Sequence, residues 1–305
     1  MCRSCSSPGS SSTACPGGPP RACCTPTRPG CSSTPPRPDA LTTVPAFHPI
    51  PVTKEHPVSR VLIAGESWIS QSTHIKGVDS FTTSAYVTGV EPLRRALEGR
   101  GHEVTHLPAH LVPAQFPGDT EALARYDVVI LSDIGANSLQ LSPEVFERGT
   151  PGTDRIDALR GWVGDGGGLL MVGGYLSFTG FEGKAAYRNT ALHEVLPVEL
   201  LPEDDRVELP AGGRPSAVGT GHPALGGVTG EWPQLLGYNR VRPRPGTEVL
   251  ATLGGDPLVA VAEYGAGRSA VFTSDCSPHW APAAFCEQWD GYARVFGGLV
   301  EWLSR

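Results

Sequence analysis

Gly168-Leu169-Leu170-Met171-Val172-Gly173-Gly174-Tyr175-Leu176-Ser177 is the stretch whose reading decides the fold. Its apolar run is too short for a helix. It also lacks the in-out alternation of a half-exposed strand, so it reads as a strand buried on both faces. Just upstream, Asp154 to Val163 places Ile156, Leu159, Trp162 and Val163 on one side of a helix. A one-sided helix followed by a doubly buried strand is the repeating unit of a parallel sheet.

Working outward, three more runs fit the same unit. Arg60-Val61-Leu62-Ile63-Ala64-Gly65 reads as a first strand, His102 to Leu107 as a second, and the β-branched run Tyr126 to Ser132 as a third. Val90, Leu93 and Leu97 recur at helical spacing between Val90 and Gly101, and Gly99 and Gly101 end that helix. The segment between Gly65 and Val90 is expected to be a long loop. Residues 197–246 are rich in Pro and Gly without a strong period and are expected to wrap the sheet edge. Glu248 to Leu253, Leu258 to Tyr264 and Arg268 to Ser274 then follow, separated by Gly254-Gly255 and Gly265-Ala266-Gly267. They predict antiparallel hairpins feeding a last central strand. Glu287 to Leu303 is expected to close the chain as a helix. The fold class is therefore α/β: a doubly wound, mostly parallel sheet with an antiparallel extension near the C-terminus.

Two parts are expected: a low-complexity tail over residues 1–57 and one globular domain over residues 58–305. The tail holds Pro-Pro pairs, Ser runs and six of the eight cysteines, and it has too few apolar residues to offset its ordering entropy. Cys2-x-x-Cys5 is its single well-spaced pair, and Cys23-Cys24 are adjacent, so no zinc ribbon is expected. Neither metal nor cofactor is implied. A formal charge of −7, with no Lys/Arg cluster in the body, argues against nucleic-acid and anionic-membrane binding. No apolar run is long enough for a signal peptide or a membrane span, and a cytoplasmic location is expected. Gly166-Gly167-Gly168 is a turn into a strand rather than a phosphate loop, since no helix with Lys-Ser/Thr follows it.

In open α/β sheets, ligands bind beyond the carboxyl ends of the strands. There the sequence puts Glu66, Ser67 and Trp68 with His74, Lys76 and Asp79 on the segment that follows. Asp133 and Asn137 come from the third strand, Tyr175 and Ser177 from the fourth, and Asp275, Cys276, His279 and Trp280 from the last. Each also has a plain structural role open to it. Glu66 could brace the segment after it, Asp133 could cap a turn, and His279 could be a packed imidazole. Cys276 could be a small buried hydrophobe, and Trp68 and Trp280 could be wall or core.

Several motifs carry a family resemblance. They are Gly65-Glu66-Ser67-Trp68, Lys76-Gly77 and Asp79 with Phe81 nearby, Gly174-Tyr175-Leu176-Ser177-Phe178, Gly237-Tyr238-Asn239, and Ser274-Asp275 with Pro278-His279-Trp280. From about Val61 to Leu303, the chain resembles the glutamine amidotransferase-like family, with a class I glutamine amidotransferase (flavodoxin-like) fold. In active class I members, the resemblance implies a Cys on a strand–turn–helix elbow and a His-Pro-Glu segment. Here the elbow position matches Tyr175, and Pro278-His279-Trp280 stands in place of His-Pro-Glu. A phenol with a pKa near 10 is a poor acyl nucleophile at neutral pH. The expectation is a domain without glutaminase activity that binds a small polar molecule or a partner protein through Glu66, Asp79, Asp133, Tyr175, Asp275 and His279. Two alternatives accompany it. One is an active amidohydrolase or amidotransferase using Cys276 with His279; the other is a structural domain of a larger assembly.

Overall fold

The computed structural model describes residues 58–219 and 221–305. The low-complexity segment 1–57, with its cysteines, lies outside the described residues. The strands, in chain order, are β1 (Arg60–Gly65), β2 (Ser67–Lys76), β3 (Asp79–Thr88), β4 (Glu103–Leu107), β5 (Val128–Ser132), β6 (Gly168–Val172) and β7 (Val198–Leu200). They continue with β8 (Arg206–Gly213), β9 (Ser216–Ala217), β10 (Leu235–Asn239), β11 (Val241–Pro243), β12 (Glu248–Leu253), β13 (Asp256–Tyr264) and β14 (Gly267–Phe272). Eight of them form one sheet in the order β4-β1-β5-β6-β14-β13-β12-β9. The pairings from β4 to β14 are parallel, and those from β14 to β9 are antiparallel.

Alternation along the central strands sorts their side chains into two cores. Val61, Ile63, Val128, Ile130, Leu170 and Val172 face the helices Glu91–Glu98 and Gly291–Leu303. Leu62, Ala64, Val129, Leu131, Leu169 and Met171 face the helix Arg155–Gly164, which contributes Ile156, Leu159, Trp162 and Val163. Helices on both faces make the sheet doubly wound, as the apolar runs require. The carboxylate of Asp154 caps the Arg155–Gly164 helix by accepting from the backbone N–H groups of Ile156 and Asp157.

Three expectations are corrected. The segment after Gly65 is not a loop but a ribbon: β2 and β3 pair over ten residues each, from Ser67↔Thr88 at its base to Lys76↔Asp79 at its tip. Gly77 turns the chain there at φ +65. The ribbon escapes a hydropathy reading because nearly all of its side chains are exposed, so no buried face imprints a period of two. Residues 197–246 form two small antiparallel pairs, β8 with β10 and β7 with β11, and lend β9 to the sheet edge. The final helix starts at Gly291 rather than Glu287, since Trp289 turns inward to lie 5.2 Å from the rings of both Trp232 and Phe285.

Gly237 on β10 illustrates how tightly this region supports the sheet end. A Cβ there would lie 2.3 Å from Nε1 of Trp280, which is itself fully buried. Gly237→Ala is expected to destabilise the domain by about 1–3 kcal/mol through overpacking. Chemical denaturation measures this, and an unchanged midpoint would show that Trp280 can move aside.

Candidate functional site

The carboxyl ends of β1, β5, β6 and β14 open on one rim. Glu66 and Asp133 follow β1 and β5, and both take left-handed backbone conformations, with φ of 49° and 43°. Such conformations are costly for non-glycine residues and persist where the surroundings fix them. The Glu66 N–H donates to the Ser132 carbonyl at 2.9 Å, holding the end of β1 to the end of β5.

The Glu66 side chain points down rather than out and is 1% exposed. Its Oε2 accepts from the Ser132 hydroxyl at 2.5 Å, and its Oε1 accepts from the Ser277 hydroxyl at 2.6 Å. The Cys276 thiol donates to Oε2 at 3.4 Å. Asp275 is buried as well; its Oδ1 accepts from the Ser277 N–H at 3.2 Å, and its Oδ2 lies 3.4 Å from Nδ1 of His279. Across the rim, Asp133 Oδ1 accepts from the Leu176 N–H at 2.6 Å. These groups meet around a cavity of about 350 Å³ lined by Glu66, Trp68, Asp133, Tyr175, Asp275, Ser277, Pro278 and His279.

Electrostatics follow from this burial. Desolvation, reinforced by the Asp275 charge, pushes Glu66 up to about 7 against the hydrogen bonds from Ser132 and Ser277. Desolvation likewise takes Asp133 up to about 6, opposed by the Leu176 N–H. Burial raises Asp275, while its bond to His279 works the other way. His279 is raised chiefly by that same hydrogen bond to Asp275. Near neutral pH the cavity therefore holds carboxyl groups able to donate or accept and an imidazole that retains its proton readily. Such a wall can hydrogen-bond a small polar molecule and exchange protons with it.

Residues outside the rim strands brace the wall from behind. Glu208 on β8 accepts from the Tyr175 hydroxyl at 3.1 Å and from Trp280 Nε1 at 3.0 Å. Asn239, fully buried at the end of β10, accepts from the Gly174 N–H at 3.0 Å and donates to Asp205 Oδ1 at 2.8 Å. Asp205 in turn accepts from the N–H groups of Thr179 and Gly180. The turn after β6 is thus anchored from beneath by β10.

The family model described as "Putative glutamine amidotransferase" matches residues 60–305. The chain belongs to this family. It is similar to two solved structures, Cytoplasmic Protein STM3548 from Salmonella typhimurium and Cytoplasmic Protein STM1381 from Salmonella typhimurium LT2. The first is 42% identical, covering 80% of this chain and 98% of that one, with a TM-score of 0.77. The second is 43% identical, covering 81% of this chain and 100% of that one, also with a TM-score of 0.77. No curated protein matches the chain.

Membership in the glutamine amidotransferase-like family makes the fate of a nucleophile the central question. Tyr175 sits directly after β6 and Gly174, whose φ is +148, and a turn rather than a helix follows it. Its ring meets His279 edge-on with centroids 4.6 Å apart, and burial together with Glu208 raises its phenol further. Cys276 is fully buried, and desolvation pushes its thiol well up, as do the Glu66 and Asp275 charges. Its sulfur faces Glu66 and Ser132, whereas His279 turns to Asp275. The structure thus does not bring Cys276 and His279 together as a pair. Glu66, Asp275 and Cys276 do place metal-ligand atoms within 4.8 Å of one another. However, both Glu66 oxygens already accept hydroxyl protons and the thiol holds its own, which suits a hydrogen-bonded carboxyl group better than a cation.

Five of the six ligand residues read from the sequence line the cavity: Glu66, Asp133, Tyr175, Asp275 and His279. Asp79 does not. It lies at the ribbon tip, nine residues along a strand from the base, on the order of 30 Å away. Of the two tryptophans, Trp68 is wall, and Trp280 is core at 1% exposure. Asp205 and Glu208 were missed because they sit in the aperiodic stretch 197–246. The Asn in Gly237-Tyr238-Asn239 was the available signal for that region.

The raised carboxyl groups carry a stability prediction. Glu66 binds its proton more tightly folded than unfolded, so its contribution is complete below about pH 4.5 and is lost as the pH rises toward about 7. Glu66→Gln removes that loss. Thermal unfolding between pH 5 and 8 is expected to fall less steeply for the variant, which should exceed wild type at pH 8. Parallel curves would mean that Glu66 titrates normally.

Proposed function

We propose that the rim cavity binds a small polar molecule and that the chain lacks glutaminase activity. One observation carries this reading: the hydroxyl at the elbow-matching position is bound to Glu208, and the nearest thiol is sealed beneath the rim against Glu66. What remains open to a ligand is mostly apolar ring surface set over buried carboxyl groups, with His279 43% exposed at its side chain and Trp68 42% exposed beside it. Asp133 and His279 would contact the ligand, Asp275 would hold His279, and Glu66 would supply at the floor a carboxyl group that is partly protonated near neutral pH. Tyr175 and Trp68 would give flat apolar walls. A cytoplasmic setting goes with this reading, since the two similar Salmonella proteins are described as cytoplasmic. Among the described residues, no helix is long and apolar enough to cross a membrane.

Two experiments bear on the two halves of the proposal. Thermal-shift screening against amino acids, amines and polyols is expected to find a ligand that protects the wild type. Asp275→Asn should weaken its binding about 10–100-fold by removing one charge-assisted hydrogen bond to His279. Unchanged affinity in that variant would move the ligand elsewhere. Treatment of the full chain with an electrophilic glutamine analogue is expected to give the same adduct count by intact mass in wild type and Cys276→Ala. One adduct fewer in the variant would make Cys276 a working nucleophile and refute the inactive reading.

A further inference from the structure

We propose that the β2–β3 ribbon is an arm through which two copies of this chain pair. Among the described residues its strands pair with no other strand, leaving both outer edges without a strand partner, although Ser67 at its base accepts from the Ala109 N–H. A two-stranded ribbon is at best marginally stable alone in water, and three or more strands are needed for independent stability. This one nevertheless keeps an unbroken register over ten residue pairs.

Its surface is unlike that of a ribbon meant for solvent. Six of the ten large apolar side chains exposed among the described residues lie on it: Trp68, Ile69, Ile75, Val78, Phe81 and Tyr86. Exposed edges are ordinarily protected by charged side chains, proline or bulges. Here Lys76 and Asp79, paired at the tip, are the only Lys, Arg, Asp or Glu in residues 67–88, and the segment contains no proline. The face bearing Ile69, Ile75 and Tyr86 comprises five cross-strand pairs, and none of its ten side chains is acidic, basic or imidazole.

These features select a second copy as the occupant. Two identical charge-free faces, or two identical edges, meet about a two-fold axis without like-charge repulsion. A strongly acidic or basic partner would find no opposite charge to recognise. Joining two ribbons also gives four strands, enough to stabilise both.

Sedimentation equilibrium of the full chain under reducing conditions tests the proposal. The expected mass is at least twice the 32.1 kDa of one chain. Ile69→Lys with Ile75→Lys places like charges on both copies and is expected to return the mass to a single chain. Circular dichroism should still report a folded domain, because both side chains lie outside the cores, with any loss confined to the ribbon. Phe146→Lys, at an exposed apolar residue elsewhere, should leave the paired mass intact. A single-chain mass for wild type would overturn the proposal, as would a paired mass that survives the double lysine variant.

Discussion

Glu66 has to keep its carboxyl group dry beneath the rim, and the surrounding strand ends are arranged around that requirement. Its two oxygens collect the Ser132 hydroxyl from the end of β5 and the Ser277 hydroxyl from the segment after β14. Its backbone, bent to φ 49°, joins β1 to the ribbon. One residue thus ties three parts of the rim. Gly89 shows how little slack remains, since a Cβ there would fall 2.5 Å from Glu66 Oε1 and 2.6 Å from Ser277 Oγ. Burial makes a charged carboxylate costly in this place, and the hydroxyl groups of Ser132 and Ser277 offset part of that cost.

A second support lies one layer deeper. Asn239 and Asp205 come from the irregular part of the chain, yet they hold the backbone of the turn after β6 through N–H groups at Gly174, Thr179 and Gly180. Glu208 then fixes the rings of Tyr175 and Trp280 from the same side. The rim is therefore shaped by the parallel strands and braced by β8 and β10.

Legibility in the sequence followed burial. β1, β5 and β6 announce themselves because both faces are covered and their apolar runs are continuous. The Gly254-Gly255 and Gly265-Ala266-Gly267 turns likewise gave the antiparallel extension away. The β2–β3 ribbon was invisible for the opposite reason: with no covered side, Ser, Thr and Gln alternate with one another as readily as with Ile. Misplacing it carried Asp79 into the candidate site, since a residue on a loop could return to the rim and one at a ribbon tip does not. Strand ends located Glu66, Asp133, Asp275 and His279, because parallel topology alone brings those positions together. Nothing local marked Asp205 or Glu208, whose roles depend on a long-range antiparallel pair.

The place of β14 in the sheet has a kinetic side. It lies beside β6, with Phe272 opposite Val172, so two neighbours in the middle of the sheet are made about a hundred residues apart. During synthesis β6 waits with one edge open while the next hundred residues emerge, on the order of 5–20 s at typical elongation rates. The nascent domain passes through that interval as a half-sheet with an apolar border, a state that invites chaperone binding or wrong pairing. Ser277 follows β14 in the chain, so the Glu66 carboxyl group is first enclosed after that strand has been made.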